Sequence, residues 1–423
     1  MIESDICIIG AGPAGMMAAV AATDVGANLC VRPGQTHRSA PTSIVIFESN
    51  TTAGRKLLLT GRGRCNLTHT GKPDDIIRAF KPFDRFVRHC IYEFTPQKLR
   101  DFFASRGLDT VAEEDGSIFP VTNSATNIKQ ILLDELNKSN IKIFYGKKVK
   151  SIEKRDERFA VLSEKLDISA KSVIIATGGL SWPQTGSTGD GYKFAQILGH
   201  KIIKPAASVV PLVTAEKFCS CLAGVGIGNV SISCKINNKK FSYAGPLIFT
   251  HKGIGGPAVF DLSREIAGLS YNNLKIHIDL LPAFKELDKT VADLIGKNPK
   301  RNIISLLSQF LPKALIQTLC NENKIPDTAA GQLSRQIRKT LIEKLKNLPL
   351  TIISAEPIEK ATVTRGGVDI SEIDSKTMQS KLCKGLFFAG EVINVDGPCG
   401  GYNLQFAFSS GFLAGKSVIK QLE

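Results

Sequence analysis

The chain has 423 residues, more than one hydrophobic core usually serves, so two or more domains are expected. Apolar residues make up 43% of it, mean hydropathy is near zero, and no uninterrupted apolar run reaches the roughly 18 residues of a membrane span. A net charge of +15 gathers at Lys147, Lys148 and Lys150, at Lys239 and Lys240, and along Arg335 to Lys346. It suits a solvated lysine-rich surface or attraction of anionic partners; without an RNA- or DNA-reading module, nucleic acid is the weaker reading.

The chain opens on a strand, Ile6-Cys7-Ile8-Ile9, that runs into Gly10-Ala11-Gly12-Pro13-Ala14-Gly15 and a small-residue helix at Met16 to Ala22. In this strand-turn-helix context G-x-G-x-x-G marks a dinucleotide site. Gly10 permits the tight turn, Gly12 lets backbone approach a pyrophosphate, Gly15 lets helix pack on strand, and Pro13 suits the first helical turn. A start carrying Glu3 and Asp5 lacks the basic, apolar pattern of a secretory signal. Ten cysteines without C-x-x-C spacing suit reduced thiols and argue against a metal centre or disulfide framework, so a cytoplasmic location is expected.

Ser43-Ile44-Val45-Ile46-Phe47-Glu48 reads as the second strand, with Glu48, followed by Ser49, placed to accept from ribose hydroxyls. It comes late because a polar run, Arg32 to Pro41, reads as an inserted loop; the alternative makes Leu29-Cys30-Val31 part of the strand. Residues 74 to 108 carry helical periodicity, 113 to 120 a hairpin turning at Asp115-Gly116, and 124 to 138 a further helix. Ile141 to Leu166 reads as a small meander, and Ala170 to Ala176 as a buried parallel strand ending at Ala176-Thr177-Gly178-Gly179. Residues 205 to 280 turn to short strands, 284 to 347 to helices, and Gly385 to Glu391 resumes the parallel pattern. The predicted organisation is a nucleotide-binding fold in two parts, 1–204 and 355–423, with a mixed domain inserted at 205–354.

Gly390-Glu391 at a strand end, then Asp396-Gly397-Pro398-Cys399-Gly400-Gly401-Tyr402-Asn403-Leu404-Gln405 opening a helix, offers backbone N–H groups and a positive helix end. Such an array could hold a flavin's pyrimidine edge, which gains negative charge on reduction. With Gly54 to Thr68 and Ala176 to Tyr192, this segment resembles the bacterial aminoacetone-oxidase-like family of NAD(P)/FAD-dependent oxidoreductases and, more distantly, fumarate reductase flavoproteins. The resemblance spans nearly the whole chain. It implies an α/β fold with an FAD-binding, Rossmann-like domain of the glutathione-reductase type and an inserted domain that is β-barrel-like with a helical part. It also implies that Arg55 and Lys56 bring charge towards the pyrophosphate, and that Gly61, Gly63, Arg64, Cys65 and Asn66 wrap the flavin. Val149 would pair with adenine through its main chain, and Ser181, Thr185 and Gly186 would close over the adenosine half. Asp396 would approach the pyrophosphate or ribityl chain, with Gly401, Tyr402, Asn403 and Leu404 presenting backbone to the ring. Asn394, the loop at Arg32 to Pro41, and Gly255 depart from the family pattern.

His251, Tyr402 and Arg365 are the candidate catalytic residues, His251 because its titration range suits acid/base work. Cys65 has no partner cysteine near in sequence and reads as a packed thiol. The expected activity is hydride transfer between flavin and a small organic molecule, with reduction of an activated C=C bond favoured and NAD(P)H docking transiently, since no second dinucleotide fingerprint accompanies Gly224 to Gly228. An amine oxidase using dioxygen, a flavoprotein acting on RNA and a flavin sensor without turnover are the alternatives.

Overall fold

The computed structural model describes residues 2–29, 42–236, 238–271 and 274–422; the loop expected at Arg32 to Pro41 and the alternative strand through Cys30 lie outside them. The chain divides into two compact units, Met1–Ala206 with Thr362–Glu423, and Ala207–Ala361. The insertion read as 205–354 differs from the second unit mainly at its far edge. There the strand Leu348–Ala355 is laddered to Leu274–Asp279 and Leu212–Thr214, so its whole length stays with the inserted unit.

The first unit is built on a seven-stranded sheet. Its parallel part runs Lys142–Tyr145, Ile44–Glu48, Ile2–Ile9, Ile168–Ile175, with Leu386–Phe388 joining Ile168–Ile175 near its end. Ile6 to Ile9, Ile44 to Phe47 and Val173 to Ile175 are all buried, as expected for strands covered on both faces. Lys142–Tyr145 belongs to this parallel sheet rather than to the expected meander, because the helix Ala125–Lys138 returns the chain to the open edge of Ile44–Glu48. The meander keeps Val149–Arg155 and Arg158–Ser163, antiparallel to one another and to the start of Ile168–Ile175. Ile9 is level with Phe47 and with Ile175, and Ile175 with Phe388, so Gly10, Glu48, Ala176 and Ala389 leave the sheet along one edge. That carboxyl edge is where open α/β sheets bind ligands.

The helices Pro13–Leu29 and Tyr402–Leu422 pack with their backbones almost touching. A Cβ on Gly411 would lie 2.3 Å from the Ala14 carbonyl oxygen, and one on Gly415 2.0 Å from that of Ala18. Because backbone cannot yield as a side chain does, Gly415→Val is expected to destabilise by about 3 kcal/mol, the upper end of ordinary overpacking. A lower urea midpoint at unchanged slope would show it; an unchanged midpoint would mean that the helices separate freely.

The second unit is a closed barrel in the order Leu212–Thr214, Gly253–Gly255, Lys239–Thr250, Gly226–Ile236, Leu274–Asp279, Leu348–Ala355. Closure leaves no open strand edge. Ile232, Phe249, Ile276 and Leu350 fill its interior and share one core with helices Leu287–Lys297, Ile303–Leu307, Lys313–Glu322 and Arg335–Lys346. Among the described residues no helix is long and apolar enough to cross a membrane.

Candidate functional site

The carboxyl edge of the first unit's sheet opens into a groove of about 450 Å3. Gly10, Gly12, Pro13 and Ala14 form its floor, and Gly15 packs against the Gly10 carbonyl just outside the lining. Gly10 has φ +104°, and a Cβ there would lie 2.5 Å from the Ala176 oxygen, so only glycine fits this crossing of strand and loop. Gly12 is the opposite case: a Cβ would meet nothing within 4 Å, which leaves its backbone facing open groove.

Glu48 is buried at the end of its strand. Its Oε2 accepts from the Ala11 N–H at 3.0 Å, while Oε1 accepts from the Asn50 N–H at 2.8 Å and the Asn50 side-chain amide at 2.7 Å. Asn50, which sequence reasoning missed, ties three segments together. Its amide also donates to the Thr185 carbonyl at 3.0 Å, and its Oδ1 accepts from Arg55 at 2.8 Å. Ser49, Arg55, Val149, Ala176, Thr177, Gly178, Thr185 and Gly186 line the groove beside them.

Lys56 lines the groove, but its charge is already engaged. Nζ lies 2.6 Å from Glu391 Oε2 and donates to Ser181 Oγ at 2.5 Å. Glu391 Oε1 accepts from the Ser181 hydroxyl and the Thr364 N–H, both at 2.8 Å. Ser181 is fully buried and lies outside the lining, so its hydroxyl holds this ion pair instead of closing over the adenosine half. Gly179 also lies outside, against Thr364.

Gly61 and Asn66 line the groove, whereas Gly63, Arg64 and Cys65 do not. Arg64 turns away to Glu113 at 2.5 Å and lies over the Phe119 ring. Burial pushes the Cys65 thiol up to about 12, against a hydrogen bond from Thr60 that lowers it, which makes it a packed and unreactive group. Gly390, Gly401, Asn403 and Leu404 line the remaining wall. Asn403 clamps the loop before the last helix, accepting from the Gly397 N–H at 2.8 Å and donating to the Gly397 and Pro398 carbonyls at 2.9 and 3.2 Å.

Of the catalytic candidates, Arg365 and Tyr402 belong to the same unit as this groove but do not line it. Arg365 donates to the fully buried Asp396 at 2.9 Å, and both lie outside the lining. Tyr402 stacks on His69 with ring centroids 4.7 Å apart and also lies outside it. His251 belongs to the second unit, exposed on the turn between Lys239–Thr250 and Gly253–Gly255. Asn394 Oδ1 accepts from the Gly366 N–H at 3.0 Å, a structural use of the position where the family pattern has an acid.

The groove's polar groups fit FAD. Arg55, Arg62 and Lys147 line it without a carboxylate partner among the described residues, matching the charge of a pyrophosphate. Asn66 and Thr177 line it, and Asn66 Oδ1 and Thr177 Oγ1 are buried with no hydrogen-bond partner among the described residues, whereas buried polar atoms of native proteins are nearly always partnered. Arg62, inside the Gly54 to Thr68 motif, and Lys147, in a lysine cluster, were not singled out as site residues, since a basic residue in a loop usually faces only water.

Comparison with known proteins agrees with this reading. The family model described as HI0933-like protein Rossmann domain matches residues 4–417. A ribosomal RNA dihydrouridine synthase of Haemophilus influenzae is 31% identical over 99% of both chains. A 3-dehydro-bile acid delta(4,6)-reductase of Clostridium scindens is 30% identical over 98% of this chain and 99% of its own. Among solved structures, the open conformation of a flavocytochrome c3 fumarate reductase superposes with a TM-score of 0.51 at 16% identity, covering 99% of this chain and 78% of the other. The family match is broader than the aminoacetone-oxidase likeness and does not single out amine oxidation.

Proposed function

The chain belongs to the HI0933-like Rossmann family and is an FAD-dependent oxidoreductase, and from that premise we propose that it saturates a C=C bond conjugated to a carbonyl, in a uracil ring of RNA. The observation that carries this reading is the pair of full-length relatives. A dihydrouridine synthase and a bile acid delta(4,6)-reductase differ in substrate, yet each name describes adding hydrogen across such a bond. When bound, FAD supplies the hydride transfer. The protein's part is to bind and orient: Glu48 and Asn50 fix the nucleotide end, Lys56 and Glu391 with Ser181 and Thr364 hold four segments together, and Asn403 holds the loop Gly397 to Gly401.

RNA is favoured over a neutral ring system by the net charge of +15. The 155 residues of the second unit carry 20 Lys and Arg against 12 Asp and Glu. This charge, which the sequence alone left between a solvated surface and attraction of anionic partners, suits a phosphate-rich substrate. Electrons would come from transiently docked NAD(P)H.

The test incubates the FAD-loaded protein, without oxygen, with NADH or NADPH and an unmodified ribosomal RNA transcript, and reads dihydrouridine by mass spectrometry of the digest. Dihydrouridine formation supports the proposal. Saturation of an enone steroid with no RNA product would replace it by the small-molecule reading, and dioxygen-dependent turnover of a small amine by the oxidase reading.

A further inference from the structure

On the barrel of the second unit, three lysines stand in a row across three neighbouring strands. Lys235 on Gly226–Ile236 is directly opposite Lys240 on Lys239–Thr250. On its other side, the last pair with Leu274–Asp279 is Cys234 with Ile276, and one further step of that register brings Lys235 alongside Lys275. Like charges directly opposite on antiparallel strands destabilise the pair, so the row is an arrangement that the fold alone does not favour.

Among the described residues nothing relieves it. Lys235, Lys240 and Lys275 are exposed and have no ion-pair partner among the described residues. Asp279, the one carboxylate on these three strands, is held by Lys346 at 2.6 Å. Side chains alternate along a strand, so Ser233 and His277, which are registered with each other, share the outward face with the lysines, while Ile232 and Ile276 fill the core. The three lysines, Ser233, His277 and Asn347 line one hollow. His277 lines it, and its Nδ1 is buried with no hydrogen-bond partner among the described residues. An unpartnered polar atom beside three uncompensated cations is what an anion with several oxygens would complete.

We propose that this row is a docking site for the phosphodiester backbone of RNA, with the lysines on successive phosphates and Ser233, His277 and Asn347 hydrogen-bonding their oxygens. The proposal rests on the RNA reading of the function and adds the surface that holds the substrate strand. Phosphate contacts of this kind fix register and orientation without reading sequence.

The test uses the full-length, FAD-loaded protein and a fluorescently labelled ribosomal RNA fragment, titrated at several salt concentrations. For the triple variant Lys235→Gln, Lys240→Gln, Lys275→Gln, the slope of log affinity against log salt should become shallower by about 2, since each lysine-phosphate contact on a single strand contributes about 0.7. Flavin bleaching by NAD(P)H should be unchanged, and thermal stability unchanged or raised because the Lys235 and Lys240 repulsion is gone. The triple arginine variant should bind as the unaltered protein does. If the glutamine variant binds RNA with unchanged slope and affinity, the barrel site is wrong and the RNA reading stands. If the unaltered protein binds no RNA at roughly 50 mM salt, both fall. Loss of binding to anionic phospholipid vesicles, with RNA binding unaffected, assigns the row to a membrane surface and overturns the proposal.

Discussion

Replacing Lys56 with methionine is expected to lower folding stability by about 3 kcal/mol at neutral pH, because it leaves the Glu391 carboxylate without its cation. The lower end of the usual range applies, since the two side chains keep 23% and 17% of their surface exposed. Burial alone would raise the Glu391 pKa. The charge and hydrogen bond of Lys56, with the Thr364 N–H and the Ser181 hydroxyl, outweigh that and hold it below its ordinary value of 4.5. A group whose pKa is depressed in the folded state contributes stability that is present above its unfolded pKa and is lost as pH falls through its folded one. The unaltered protein should therefore lose this contribution on acidification below about pH 4.5. In the variant, burial acts unopposed by Lys56 and favours the neutral acid, so the gap between the two proteins should narrow towards low pH. Adding Glu391→Gln to Lys56→Met should recover much of the loss, because a neutral amide needs no buried cation. Urea midpoints across a pH series measure all three. An equal gap at acid and neutral pH, or no recovery in the double variant, would show that Lys56 acts through packing of its stem instead.

How far this network was legible in the sequence depends on which physical signal each residue carries. The parallel strands were readable because burial on both faces imposes continuous apolar runs, as in Ile6 to Ile9 and Val173 to Ile175. The barrel was readable only as a stretch of short strands over 205 to 280. Lys142–Tyr145 was not, because four alternating residues fit a meander as well as an edge strand, and only pairing with Ile44–Glu48 decides. Site residues divide in the same way. Gly10, Gly12 and Glu48 act through local geometry that recurs with the strand-turn-helix unit. The link between Lys56 and Glu391 spans 335 positions, and that between Arg365 and Asp396 spans 31 across two loops and a strand. No local pattern states such a pairing. Ser181 and Asp396 accordingly sit near the expected place in the chain, yet their polar atoms serve protein partners.

Glu48 gives the largest expected effect on cofactor binding, and the informative substitution is the mildest one. Glu48→Gln keeps size and shape but replaces one acceptor oxygen with an amide donor. Both oxygens are in use: Oε2 takes the Ala11 N–H, and Oε1 takes the Asn50 N–H and side-chain amide. Either orientation of glutamine therefore sets N–H against N–H. If its oxygen stays with Asn50, the Ala11 donor is orphaned where the glycine loop leaves the first strand; if it turns to Ala11, Asn50 loses its anchor and with it the link to Thr185 and Arg55. A buried donor left unsatisfied costs about 1–3 kcal/mol, and the charge-assisted bonds that the carboxylate would offer ribose hydroxyls are lost as well. FAD affinity is expected to fall by about 10- to 100-fold, each factor of ten corresponding to about 1.4 kcal/mol, and Glu48→Ala should be no better than glutamine. Flavin fluorescence on titrating apoprotein with FAD measures the affinity, and urea unfolding of the apoprotein separates loss of fold from loss of binding. A glutamine variant that binds FAD as tightly as the unaltered protein would mean that the Ala11 and Asn50 donors find other acceptors, and that the negative charge at position 48 does not hold the loop.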